Sequence, residues 1–125
     1  MIRTSLALLT GALMLSASVL PAQAAGKKIA VSWKTFQEER WKTDEAAIKK
    51  VVEAAGDTYI SADAQGSAAK QATDIEGLIA QKVDVILVVA YDSDAILPSF
   101  KAASDAGVKM ISYDCLLYTS PSPRD

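Results

Sequence analysis

The sequence predicts an α/β fold built on an open parallel sheet of four strands and three helices. Two observations carry that reading. Short apolar runs alternate without interruption with stretches whose apolar residues recur every three or four positions. One run, residues 83–90 (VDVILVVA), is almost continuously apolar, as a parallel strand covered on both faces would be. Residues 27–33 (KKIAVSW) read as the first strand, and residues 40–55 carry Ile48, Val51, Val52 and Ala55 at helical spacing before Gly56 stops the helix. Residues 58–62 form the second strand. The next helix, about residues 67–81, gathers Ala68, Ala72, Ile75 and Ile79 on one face. The third strand, residues 83–90, is expected at the sheet centre. A third helix follows over about residues 94–106, with Ile96, Phe100 and Ala103 as its core stripe, Pro98 near its first turn and Gly107 just past its end. Residues 108–113 make the fourth strand. Parallel strands joined through helices imply right-handed crossovers.

The chain has 125 residues, 50% of them hydrophobic and 22% charged, with a formal net charge of −2. That composition suits one globular unit and excludes a disordered tail; the mild acidity argues against a nucleic-acid binder, which carries a basic excess. With no histidine and one cysteine, a disulfide within the chain is impossible and a His/Cys metal site nearly so, and no cofactor is implied. Both ends read differently from the middle. Arg3 supplies a positive start, residues 5–20 are largely apolar, and Pro21-Ala22-Gln23-Ala24 ends in the small-x-small pattern of a signal-peptide cleavage site. Cleavage is expected after Ala24. The apolar stretch is interrupted by Ser5, Thr10, Ser16 and Ser18 and is too short for a spanning helix, so export without membrane insertion follows. At the other end, Cys115 to Asp125 breaks into Pro/Ser-rich sequence. One codon choice for Cys115 to Ser120 resembles a transposon-end sequencing adapter, so residues 115–125 are expected to be a non-native tail on a truncated gene. The folded unit is then residues 25–114.

In open parallel sheets, ligands bind beyond the carboxyl ends of the strands. The loop after the first strand, Lys34-Thr35-Phe36-Gln37-Glu38-Glu39, has no glycine, which removes dinucleotide and P-loop readings. Without histidine, acid–base machinery would have to come from carboxylates, and no Asp/Glu spacing singles out a pair. What remains at the strand ends is polar and aromatic: Lys34, Phe36, Gln37, Arg40, Trp41, Tyr91, Asp92 and Asp114. Such a set suits a neutral polyol, whose C–H faces lie on planar side chains while Arg and Asp bond its hydroxyls. Each residue also has a plainer reading. Arg40 could be a solvated helix residue, Trp41 core packing, Asp114 a helix cap, and Tyr91 and Asp92 loop packing and turn formation.

The runs Phe36-Gln37-Glu38-Glu39-Arg40-Trp41-Lys42-Thr43-Asp44, Gln71-Ala72-Thr73-Asp74-Ile75-Glu76-Gly77-Leu78-Ile79, Val83-Asp84-Val85-Ile86-Leu87 and Ile111-Ser112-Tyr113-Asp114 resemble the periplasmic xylose-binding proteins of sugar ABC transporters. The likeness covers residues 27–114, and Glu39-Arg40-Trp41 is its most specific element. It implies a Rossmann-like part of the first lobe of a type I periplasmic binding protein, with reversible capture of a monosaccharide, D-xylose first among them, and delivery to a membrane permease. No bond is made or broken, so the chain is not an enzyme. Arg40, Trp41 and Asp114 match sugar-contacting positions; Lys34, Gln37 and Tyr91 are weaker candidates. Cys115 stands where the family carries a sugar-binding Arg, and no role is assigned to it. An enzyme of flavodoxin-like type would need phosphate-cradling glycines, and a sugar-responsive repressor would begin with a helix-turn-helix. Ribose, galactose and rhamnose remain alternative ligands.

Overall fold

The computed structural model describes residues 25–114. The proposed signal peptide, residues 1–24, and the proposed adapter-derived tail, residues 115–125, lie outside the described residues. Seven elements follow in strict alternation: β1 (Lys28–Trp33), α1 (Glu39–Ala54), β2 (Thr58–Asp63), α2 (Ala68–Ala80), β3 (Val85–Val88), α3 (Leu97–Asp105) and β4 (Lys109–Ser112). All three strand pairings are parallel, in the order β2-β1-β3-β4. The first connection therefore leaves β1 toward one edge and the second returns past it toward the other. Between β1 and β3 lies the point where the winding reverses, which in such sheets is where a ligand crevice opens.

Alternation along the strands divides the interior into two cores. On one face, Ala30, Ile86 and Val88 pack with Ile75 and Leu78 of α2, Ala103 of α3 and Ile96, which precedes α3. On the other, Val31 and Trp33 pack with Trp41 and Ile48 of α1 and, at the sheet surface, Tyr59, Leu87 and Tyr113. Two helices thus cover the first face and one covers the second. Ser67 caps α2 by accepting from the Lys70 N–H at 3.2 Å, one of the orphan donors of a helix start. Gly56 and Gly107, at φ of 81° and 76°, follow the ends of α1 and α3 and take the left-handed conformation that a side chain would oppose.

Three expectations need correction. Val51, assigned to the core face of α1, is 70% exposed; the inward stripe runs through Trp41, Ile48 and Val52, and Val51 lies one position off it. The run at residues 83–90 is not covered on both faces. Its paired portion is Val85–Val88, with Ile86 and Val88 buried under α2 and α3 while Val85 and Leu87 are partly open, because α1 lies over β1 and β2. Finally, α3 begins at Leu97, with Pro98 in its first turn; Asp94 belongs to the preceding turn. Among the described residues β4 is an edge strand, with Ile111 exposed, and a groove of about 890 Å³ runs along that edge past Phe100, Met110 and Ile111. No helix among these residues is long and apolar enough to cross a membrane.

Candidate functional site

The carboxyl end of the sheet is built on aromatic packing. Trp33, the last residue of β1, is fully buried, and its ring lies 5.5 Å from Phe36, 6.1 Å from Trp41 and 6.4 Å, edge-on, from Tyr113. These separations are those of favourable aromatic pairs. The Trp33 indole N–H donates to the Tyr59 hydroxyl at 3.4 Å, which donates to Glu45 at 3.1 Å, tying β1, β2 and α1 together. Burial raises the Tyr59 pKa, because the phenolate would lose solvation there.

Charge is layered on top. The Arg40 guanidinium carbon sits 4.6 Å and the Lys34 ammonium 4.9 Å from the centre of the Trp41 ring, both within cation–π range. Arg40 also donates to Asp114 Oδ1 at 2.8 Å and lies 3.5 Å from Asp44 Oδ2. Asp44 in turn accepts from the Tyr113 hydroxyl at 3.0 Å. The hydrogen bond to Asp114 raises the Arg40 pKa, partial desolvation opposes it, and the Asp114 and Asp44 charges add to it. The Tyr113 pKa is also raised, chiefly by its hydrogen bond to Asp44. Lys34 lies 3.8 Å from Glu38. Two cations and three carboxylates thus share this corner, nearly balanced in charge. Asp114 holds its place with φ of 62°, a left-handed conformation that Asp tolerates better than most residues.

Four of the residues expected from the sequence therefore meet: Lys34, Arg40, Trp41 and Asp114. Trp41 is not the open platform that a stacked sugar would need. It is 1% exposed, wedged against Trp33 and covered by the two cations. Its indole Nε1 is nonetheless buried with no hydrogen-bond partner among the described residues. Gln37 is on the exposed loop, its backbone N–H held by Thr35 Oγ1. Tyr91, 54% exposed, stands on the separate loop after β3. Asp92 forms a turn, its carboxylate accepting from the Asp94 and Ala95 N–H groups at 2.9 and 2.8 Å. Among the described residues no group of three or more His, Cys, Asp or Glu is placed to hold a metal ion.

Sequence reasoning passed over Asp44, Tyr113 and Gln71. Asp44 was accessible from its position four residues after Arg40, one helical turn along the same face. Tyr113 gave no such signal, since its strand alone does not show that it reaches α1. Gln71, 1% exposed on the inner face of α2, was hidden by being polar.

A doubly wound parallel sheet with a polar, aromatic-backed corner at the carboxyl ends of its strands is the architecture of open α/β lobes, a class that holds its ligands at that end of the sheet. The chain belongs to the periplasmic binding protein domain family, which matches residues 29–125. It is 28% identical over 96 residues to the D-xylose-binding periplasmic protein of Escherichia coli (strain K12), covering 77% of this chain and 29% of that protein. It is 32% identical over 97 residues to the ribose import binding protein of Bacillus subtilis (strain 168), covering 75% of this chain and 32% of that protein. Among solved structures, an ABC transporter solute-binding protein from Mycobacterium smegmatis with bound glycerol superposes with a TM-score of 0.72 at 31% identity, covering 75% of this chain and 33% of that one. The chain spans about a third of the length of the curated relatives it matches.

Proposed function

We propose that this chain is the first part of the amino-terminal lobe of a periplasmic sugar-binding protein, which captures an aldopentose reversibly and delivers it to the permease of an ABC transporter. Residues 1–24 act as its signal peptide, and residues 115–125 are an adapter-derived tail. The observation that carries the reading is the Trp41 indole N–H, buried and without a hydrogen-bond partner among the described residues, on a ring whose face is covered by Arg40 and Lys34. A buried donor of this kind is costly unless something accepts from it; the Arg40 and Lys34 side chains over the ring are partly exposed, and a sugar that displaces them could bring a hydroxyl to accept from it. The near-balance of charge around it favours a neutral ligand over a phosphorylated or carboxylated one. Arg40 would donate to sugar oxygens and Asp114 accept from hydroxyls, with Lys34, Gln37 and Tyr91 at the rim and Trp41 contributing its N–H instead of its ring face. D-xylose is the first candidate, from the resemblance around Glu39-Arg40-Trp41. Ribose is the second, favoured by the higher identity to the ribose import binding protein.

Calorimetric titration of the full-length protein with D-xylose, D-ribose, D-galactose and L-rhamnose tests the reading. D-xylose should bind most tightly, and Arg40→Ala should weaken it by about thirtyfold or more, corresponding to ~2 kcal/mol. Binding of no monosaccharide, or an unchanged dissociation constant for Arg40→Ala, would overturn it.

A further inference from the structure

β1 and β3 run side by side as far as Ser32 and Val88, and then they part. Their last rung is the Val89 N–H to the Ser32 carbonyl at 2.9 Å. In a regular parallel ladder every second residue of one strand both donates and accepts across the gap. The next rung would therefore pair Lys34 N–H with the Val89 carbonyl, and Tyr91 N–H with the Lys34 carbonyl. Instead β1 veers toward β2, and the Lys34 carbonyl accepts from the Gly66 N–H at 2.8 Å. The side chain of Gln71 fills both positions. Its Nε2 donates to the Val89 carbonyl at 2.9 Å and its Oε1 accepts from the Tyr91 N–H at 2.9 Å, while Nε2 also donates to Ser32 Oγ at 3.1 Å. The partners fix the orientation of the carboxamide, since a carbonyl can face only the NH₂ end and an N–H only the oxygen. Gln71 and Ser32 are 1% and 0% exposed, so the bonds to Val89 and Ser32 are buried and the one from Tyr91 is partly so.

We propose that Gln71 is a positioning residue of the ligand crevice: its carboxamide stands in for one peptide of β1 and holds the ends of β1 and β3 apart where the winding of the sheet reverses. The loop carrying Tyr91 is thereby fixed opposite the loop carrying Lys34 and the first turn of α1, which carries Arg40 and Trp41. Glutamine is suited to this because it offers a donor and an acceptor at the spacing of a peptide group. An apolar side chain would leave the buried Val89 carbonyl and the partly buried Tyr91 N–H without Gln71 as a partner, and an ionised Glu would set a second acceptor against a carbonyl. The consequence for affinity rests on the sugar-binding reading; the structural role does not.

The test uses the full-length protein with Gln71→Met, Gln71→Glu and, as a control that keeps both Gln71 bonds to the loop, Ser32→Ala. In the wild type the Tyr91 amide should be protected from hydrogen exchange. In Gln71→Met it should exchange at least about tenfold faster while the mid-helix amides of α2 are unchanged, and D-xylose should bind about tenfold more weakly at a temperature where the variant is folded. Ser32→Ala should stay within about threefold of wild type in both readouts. A protonated Glu can donate to Val89 and accept from Tyr91, so the affinity of Gln71→Glu relative to wild type should recover as the pH falls. That variant carries the test if Gln71→Met does not fold. A lowered melting midpoint with unchanged affinity of the folded protein would overturn the positioning role, as would free exchange of Tyr91 in the wild type. Failure of the wild type to bind any monosaccharide would instead overturn the sugar-binding reading, and the exchange rates would then decide the structural role by themselves.

Discussion

Replacing Trp41 separates packing from recognition. Truncating a fully buried aromatic ring to Ala costs about 3–5 kcal/mol in lost transfer and residual cavity. The cation–π contacts from Arg40 and Lys34 lie at the weak end of their range, because both side chains are partly exposed, and loss of the buried indole N–H returns about 1–3 kcal/mol. Trp41→Ala should therefore lower the stability of the ligand-free protein by about 2 kcal/mol, a sizeable share of the ~5–15 kcal/mol typical of a domain. Trp41→Phe is the informative change. It loses part of the ring but also removes the buried, unpartnered indole N–H, whose burial costs about 1–3 kcal/mol. The two effects nearly offset, so the ligand-free stability should stay within about 1 kcal/mol of wild type while sugar affinity falls about tenfold for want of the donor. Urea unfolding without ligand and calorimetric titration at a temperature where all forms are folded provide both quantities. A Trp41→Phe protein that is strongly destabilised, or that binds sugar as tightly as wild type, would refute the assignment of the indole N–H to the ligand.

The phenol groups predict alkaline sensitivity. Tyr59 and Tyr113 both have raised pKa values when folded, so the folded state holds their protons more tightly; their contribution is complete below about pH 10 and is lost as pH rises through the folded values. Stability measured by urea midpoint should fall above about pH 10, and Tyr59→Phe or Tyr113→Phe should each flatten that fall; an unchanged slope in both would count against the burial of Tyr59 and the Tyr113–Asp44 hydrogen bond. Among the described residues nothing pairs with the outer edge of β4, and that edge and the exposed Ile111 predict self-association of purified residues 25–125. Light scattering should show it, Ile111→Lys should reduce it, and a monomer at high concentration would contradict it.

Much of the fold was legible locally. Apolar runs, helical spacing and the glycines after α1 and α3 reported seven elements in their correct order, since each depends on backbone conformation and on neighbours a few residues away. The resemblance around Glu39-Arg40-Trp41 and the rule that ligands gather at the carboxyl ends of strands brought Lys34, Arg40, Trp41 and Asp114 into one candidate set. How those residues meet was a tertiary matter. Arg40 and Asp114 are 74 positions apart and become a 2.8 Å ion pair only because β4 ends beside the first turn of α1. Burial of Trp41 and exposure of Val51 depend on where α1 lies across β1 and β2, and helical periodicity leaves that rotation open to within about a residue. The role of Gln71 was the least visible. Its partners are backbone groups at the point where two strands diverge, and backbone groups carry no sequence signature. Local chemistry determined the elements and the list of candidates, whereas strand order and helix placement decided which of them share a crevice.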